Sequence, residues 1–165
     1  MSKNYILTKE VAEKKMKRMA LEIAEQLSDD AQPVVLIGIK ESGLIIAEKM
    51  LELIKPFLKV DIQLLSCLMN KKLPVDVTFS RMLNFDNLNV IIIDDVTNSG
   101  RTLLYALKPL MDFHPKRVQT LALVERMHKT FPIKPDYVGI SIATTLQEHI
   151  QVEVENGEVT GAYLE

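Results

Sequence analysis

Cysteine is nearly absent from this sequence: Cys67 stands alone among 165 residues, which excludes an internal disulfide framework and fits a reducing compartment. The three histidines, His114, His128 and His149, have no zinc-ligand spacing with it or with one another, so no structural metal is expected. No apolar run approaches the ~20 residues that a bilayer requires. The start, Met1 to Glu10, holds no apolar stretch before a small-residue cleavage site, so neither a span nor a leader is expected and the expected location is the cytoplasm. Charge of one sign is also missing: 20 Lys and Arg against 22 Asp and Glu leave a net charge of −2, with no global pull toward nucleic acid or anionic membrane. Glycine is scarce, six residues in all, against an average near ~7% of a chain. Where those six sit is therefore informative, because glycine lets a backbone turn sharply or approach a ligand closely.

What is present reads as one domain, residues 1–165, with no repeat, low-complexity tract or linker to divide it. Thr8 can cap a helix whose apolar positions Ala12, Met16, Met19, Ala20, Ile23 and Leu27 recur at steps of three and four. Its other side carries Lys14, Lys17 and Arg18, with Glu10–Lys14 and Glu13–Lys17 pairs four apart, a solvated face first and an anion- or RNA-facing patch second. Val34 to Ile39 is an unbroken apolar run of strand length, expected to be buried on both faces. A helix from Leu44 to about Lys55, a strand near Leu58–Leu65, the run Val90–Ile93, a helix from about Thr102 to Met111 and a strand Val118–Val124 follow. This alternation predicts an α/β fold with a mostly parallel central sheet flanked by helices. The tail alternates through Gln151–Glu155, then has Asn156-Gly157, the signal of a closing C-terminal β-hairpin.

In open parallel sheets, ligands sit beyond the carboxyl ends of the strands. The loop after the first buried strand, Gly38-Ile39-Lys40-Glu41-Ser42-Gly43-Leu44-Ile45, has P-loop glycine spacing but lacks the lysine and hydroxyl that nucleotide triphosphate hydrolysis needs. After Val90–Ile93 comes Asp94-Asp95-Val96-Thr97-Asn98-Ser99-Gly100-Arg101-Thr102. Every residue from Thr97 to Thr102 except Gly100 offers a side-chain donor, which suits a phosphate monoester. The carboxylates of Asp94 and Asp95 would repel that phosphate and suit hydroxyls or a cation beside it. Phosphate at one end and a diol next to it describe a ribose 5-phosphate. Ordinary turn and cap chemistry after an Asp-Asp strand end is the competing reading.

The string from Val90 to Thr102 resembles the phosphoribosyl-diphosphate signature of the type I phosphoribosyltransferases. Ile37 to Gly43 resembles that family's pyrophosphate loop, and Leu121–His128 with Pro132–Gly139 resembles the region leading to its base site. Nearly the whole chain is similar to the family's bifunctional pyrimidine-operon attenuators and uracil phosphoribosyltransferases. The resemblance implies a type I phosphoribosyltransferase fold with a small hood, and transfer of ribose 5-phosphate from phosphoribosyl diphosphate to a nucleobase, uracil favoured, with release of pyrophosphate. It implies that Asp94 and Asp95 hold the ribose hydroxyls as the catalytic pair, and that Thr97, Asn98, Ser99, Gly100, Arg101 and Thr102 cradle the 5-phosphate. Lys40, Glu41, Ser42 and Gly43 would bind pyrophosphate across a strained, cis-type peptide near Lys40-Glu41. Tyr137 and Val138 would contact the base. Magnesium (Mg2+) would enter through ligand oxygens near Asp94 and Asp95, with no direct protein cage, and a homodimer is expected.

Three positions depart from the attenuator pattern. Leu65-Ser66-Cys67-Leu68 stands where that group has Tyr-Arg-Asp-Asp, Asn98 replaces its tyrosine, and Ser42 replaces its arginine. The connection from Ser66 to Leu88 is long enough for a lid and carries Lys71, Lys72 and Arg81, among which the sequence does not choose a replacement for the lost charge. The alternative to a transferase is a regulatory nucleotide- or RNA-binding protein on the same fold with weak or no catalysis. Its candidate contacts are Lys14, Lys17 and Arg18 together with Arg126, His128 and Lys129.

Overall fold

Asn4–Thr8 (β1), which carries no strong strand pattern, leads directly into the helix Lys9–Leu27 (α1), and the Thr8 side chain caps that helix by accepting from the Val11 N–H at 3.3 Å. The computed structural model describes residues 3–145 and 147–165. The expected apolar stripe is the buried face of α1, joined by Ala24. Val34–Ile39 (β2) is buried at every position, as its unbroken apolar run predicts, and is followed by Ser42–Ile54 (α2). Next come Ile62–Met69 (β3), Val77–Phe79 (β4), Asn89–Thr97 (β5), Arg101–Ala106 (α3), Arg117–Arg126 (β6), Tyr137–Ile142 (β7), Ile150–Glu155 (β8) and Glu158–Leu164 (β9).

The central sheet has strand order β4-β3-β2-β5-β6-β7, parallel throughout except for β4, which runs antiparallel to β3. Alternate residues of each strand face opposite layers. Val34, Leu36, Ile91, Ile93, Leu121 and Leu123 pack with α1 and α2, whereas Val35, Ile37, Val90 and Ile92 pack with Leu103, Ala106 and Leu110 on the other side. Burial on both faces is what selects the uninterrupted β-branched runs. Among the described residues no helix is long and apolar enough to cross a membrane.

The closing hairpin forms as its Asn-Gly pair predicts, with Asn156 at φ 52° and Gly157 at φ 76°, the two left-handed positions of a tight strand turn. It is not a free hairpin, however. β1 pairs antiparallel with β9 to make a separate three-stranded sheet, β1-β9-β8, and Leu7, Val159 and Ala162 carry it onto the α1/α2 core. This small sheet is the hood that the resemblance implies.

Three boundaries differ from the sequence reading. β3 starts at Ile62 rather than near Leu58, because it begins where Val34 of β2 takes Ile62 as its partner. The helix expected to reach Met111 ends at Ala106 and gives way to a tight turn at Lys108–Leu110, since Pro109 lacks the N–H that would continue it. The long connection Ser66–Leu88 is largely structured: β3 runs on to Met69, β4 folds back on it, and Phe79 and Phe85 are buried. Residues 70–76 and 80–88 are irregular, and Lys71 in the first of these lies at the sheet's carboxyl edge.

Phe85 stacks edge-on against Phe79 and Phe113, with ring centres 5.8 and 5.4 Å away. Truncation in Phe85→Ala should therefore lower stability by about 3–5 kcal/mol, read as a drop in the denaturation midpoint, while Phe85→Leu should lower it much less.

Candidate active site

The chain leaves β2 toward β3 on one side and leaves β5 toward β6 on the other, so the connections after these adjacent strands diverge. That divergence opens a crevice at the carboxyl ends, the place where open α/β sheets bind ligands. The crevice holds a cavity of about 300 Å3 lined by Lys71, Asp94 to Thr102 and Ile150. The acidic pair and all six proposed phosphate residues are thus brought together, as the sequence reading requires.

Strand β5 continues through the acidic pair to Thr97 before the chain turns. Asp94 is 1% exposed, and one of its carboxylate oxygens accepts the Asp95 N–H at 2.9 Å, while Asp95 accepts the Val96 N–H at 2.8 Å. Gly100, at φ 88°, makes the turn into α3 in a conformation that side chains rarely adopt. The loop is buttressed from behind, since the N–H groups of Thr130 and Phe131 both donate to the Ser99 carbonyl at 3.1 Å. It is a preorganised cradle of hydroxyl, amide and guanidinium donors rather than a loose turn.

The residues proposed for pyrophosphate lie beside this cavity rather than in its lining. The Lys40–Glu41 peptide is cis, Lys40 and Glu41 are exposed, and the Lys40 N–H is fixed to the Cys67 carbonyl at 2.9 Å. Gly43 ties the two loops together: a β-carbon there would lie 2.7 Å from the Ile93 carbonyl and 3.3 Å from the Asp94 carboxylate. A side chain at position 43 would push the first loop off the acidic pair.

Lys71 supplies the cation that the sequence left open. Its ammonium lies 2.9 Å from Asp94 and 3.6 Å from Asp95, and the Arg101 guanidinium donates to its carbonyl at 3.1 Å. Lys72 instead makes a turn with Asn70, and Arg81 donates to Gln63 at 2.6 Å, away from the acidic pair. No local sequence signal separates Lys71 from Lys72; the choice depends on where β4 returns along β3. Ile150, the first residue of β8, was also not expected, because it reaches the cavity only through the hood.

The expected base contacts need correction. Tyr137 begins β7, paired with Leu121 and so level with Ile93, but its side chain is 1% exposed, buried in the core on the α1 side of the sheet. Its hydroxyl bonds Gln26 and Gln119 at 2.9 and 2.8 Å, and burial pushes its pKa up to about 12. The Val138 carbonyl accepts from Arg18 at 2.7 Å. With the Tyr137 ring in the core and the Val138 carbonyl taken by Arg18, neither residue is presented to the crevice. The carboxyl end of β7 and the segment after it are nearer: His128 and Arg126 hold the carbonyls of Thr144 and Thr145, the former at 2.8 Å.

The cations proposed for RNA are mostly engaged within the fold. Lys14 pairs with Glu10 and Arg18 with Glu22, and Arg18 also reaches the Gly139 carbonyl at 2.9 Å, while Lys129 pairs with the buried Glu125. Cys67 is buried, its thiol pushed up to about 12 by desolvation, then by the Asp94 charge, so it is no nucleophile.

Comparison with known proteins agrees with this geometry. The profile of a family described as "Phosphoribosyl transferase domain" matches residues 4–156. The chain is similar to the "Bifunctional protein PyrR" of Haemophilus ducreyi, 36% identical over 133 residues and covering 74% of either protein. It is 30% identical to the "Bifunctional protein pyrR" of Enterococcus faecalis across 94% of this chain and 92% of that one. Among solved structures, the hypoxanthine phosphoribosyltransferase of Trypanosoma cruzi has the same fold, with a TM-score of 0.79 at 16% identity over 98% of this chain and 97% of that one.

Burial, and after it the Asp95 charge, push the Asp94 carboxyl up from 3.8 to about 7 against the opposing pull of Lys71. Below that value the folded protein keeps a proton that the unfolded chain has lost, so raising the pH through this window weakens folding. Asp94→Asn removes the titration. Its denaturation midpoint should therefore rise relative to wild type between the ordinary aspartate range and neutral pH, and the difference should level off above it.

Proposed function

Because the chain belongs to the phosphoribosyl transferase domain family and is a pentosyl-transferring enzyme of it, we propose that the crevice between β2 and β5 binds phosphoribosyl diphosphate and passes its ribose 5-phosphate to a nucleobase. The observation that carries this reading is the cavity in which the buried carboxylate of Asp94, its neighbour Asp95 and the donors from Thr97 to Thr102 converge. In this reading Thr97, Asn98, Ser99, Gly100, Arg101 and Thr102 hold the 5-phosphate, and Asp94 and Asp95 hold the ribose 2- and 3-hydroxyls. Glu41, Ser42 and Gly43, which abut Asp94 at Gly43, take the diphosphate end through backbone N–H groups, and Lys40, whose own N–H is held by the Cys67 carbonyl, adds its exposed side chain.

The reaction is displacement at the anomeric carbon. A base nitrogen attacks as the bond to pyrophosphate oxygen breaks, and the ring carries oxocarbenium character between. Asp94 and Asp95 place negative potential beside that positive ring, which favours the transition state over the neutral sugar. No enzyme nucleophile is required. Among the described residues no three His, Cys, Asp or Glu side chains lie together as metal ligands. The hard carboxylate oxygens of the acidic pair nonetheless suit magnesium held chiefly by ligand oxygens, where it would offset the charge of the departing diphosphate.

Uracil is the proposed base, as the likeness to the pyrimidine attenuator group implies. Asn98, exposed at the cradle, is an amide and a poor proton acceptor, which disfavours a purine-type general base at that position. The base subsite is proposed between Val96–Asn98 and the segment leading to Ile150, not at Tyr137. The regulatory alternative has no comparable converging cavity behind it, and of its candidate cations Lys129 is held by the buried Glu125.

Calorimetry with phosphoribosyl diphosphate and magnesium should show binding to the wild type and about 10- to 100-fold weaker binding to Asp95→Asn, the value of one charge-assisted hydrogen bond. Absence of binding by the wild type would overturn the site. In a turnover panel of uracil, hypoxanthine, guanine and xanthine, uracil should be used; purine turnover without uracil turnover would overturn the base. A homodimer is the proposed assembly, checked by sedimentation, and a monomer at all concentrations would contradict it.

A further inference from the structure

Lys71 contacts both halves of the proposed sugar-phosphate site at once. Its side chain takes the acceptors of the acidic pair, at 2.9 Å from Asp94 and 3.6 Å from Asp95. Its backbone carbonyl takes a donor of the phosphate cradle, the Arg101 guanidinium, at 3.1 Å. A diol and a phosphate on one ligand would need those same groups. One residue of this chain therefore occupies the positions that a ribose 5-phosphate would claim.

The segment bearing Lys71 is held lightly. Its far end is fixed by Lys108, whose ammonium donates to the Val75 carbonyl at 2.7 Å, and although Pro74 is buried, Leu73 and Val75 on either side of it are 68% and 54% exposed. Polar tethers with little apolar burial give a low local opening free energy. Asp94, by contrast, is 1% exposed and anchored in β5, and it keeps its charge without penalty only while a cation or hydroxyl donors face it. The contact is thus needed when the site is empty and removable when a ligand replaces it.

We propose that Lys71 is a displaceable internal counter-ion of the ribose site, a latch that neutralises Asp94 and Asp95 in the empty enzyme and must leave before the sugar hydroxyls can bind. This rests on the sugar-phosphate reading of the crevice. The ligand's phosphate draws Arg101 from the Lys71 carbonyl while its diol draws the carboxylates from the Lys71 ammonium, so a ligand with both groups releases the latch and a bare phosphate does not. The latch lowers apparent affinity for the sugar by the fraction of molecules in which it is closed.

The test titrates ribose 5-phosphate and inorganic phosphate, without magnesium, into wild type, Lys71→Met and Lys71→Arg, each checked by its thermal melt. Lys71→Met keeps the stem and removes the charge, so it should bind ribose 5-phosphate about threefold or more tightly than wild type, on the scale of one part-exposed ion pair. Inorganic phosphate should bind wild type and Lys71→Met alike, and Lys71→Arg should follow wild type. Unchanged or weaker ribose 5-phosphate binding in Lys71→Met, with wild type binding it, would overturn the latch and leave the site reading intact. If neither protein bound ribose 5-phosphate or phosphate, the site reading would fail and the latch with it.

Discussion

A carboxylate that is 1% exposed at the end of an apolar strand is expensive to keep charged, and much of the carboxyl edge of this fold is organised around that constraint. Asp94 follows Val90–Ile93 into the core because β5 is central, with β2 and β6 on either side. Desolvation pushes its pKa up, the neighbouring Asp95 pushes it further, and only Lys71 works in the opposite direction. Burial also works against the charge on Lys71, yet the two carboxylates outweigh it and its pKa is raised. Lys71, carried on residues 70–76, favours the charged form of Asp94, and the two carboxylates in turn favour the charged form of Lys71.

The same constraint explains why neighbouring loops are tightly drawn. Gly43 lets the loop after β2 lie against the Asp94 backbone, where any side chain would collide with the Ile93 carbonyl. Gly100 turns the chain from β5 into α3 with φ 88°, and its own neighbour across the gap is the Ile133 carbonyl, 3.1 Å from where a β-carbon would sit. Two of the six glycines thus serve close backbone approaches at this crevice. Gly161 lets β9 lie close to the Leu7 carbonyl and the Tyr5 ring in the hood.

Much of this was legible from residue order alone. The capped helix from Lys9, the doubly buried strand Val34–Ile39, the run into Asp94-Asp95 and the Asn156-Gly157 turn each depend on neighbours within a few positions. Periodicity and turn chemistry operate over that range. The acidic pair and its donor-rich continuation were legible for the same reason, as a contiguous string on one loop. The base contacts assigned to Tyr137 and Val138 were not legible locally, because which side of β7 meets the core is set by its pairing with β6 and by α1 packed on it.

Local sequence therefore determined α1, the central strands β2 and β5, the parallel architecture and the donor-rich loop after Asp95, because these follow from side chains close together along the chain, whereas β1, β4 and β7 carry no such signal. Tertiary structure alone decided that β1 joins β8 and β9 as a hood, that Ile150 lines the cavity, and that Lys71 rather than Lys72 or Arg81 faces the acidic pair. Those outcomes pair residues 23 to more than 100 positions apart, and strand pairing, not local propensity, sets which of them meet.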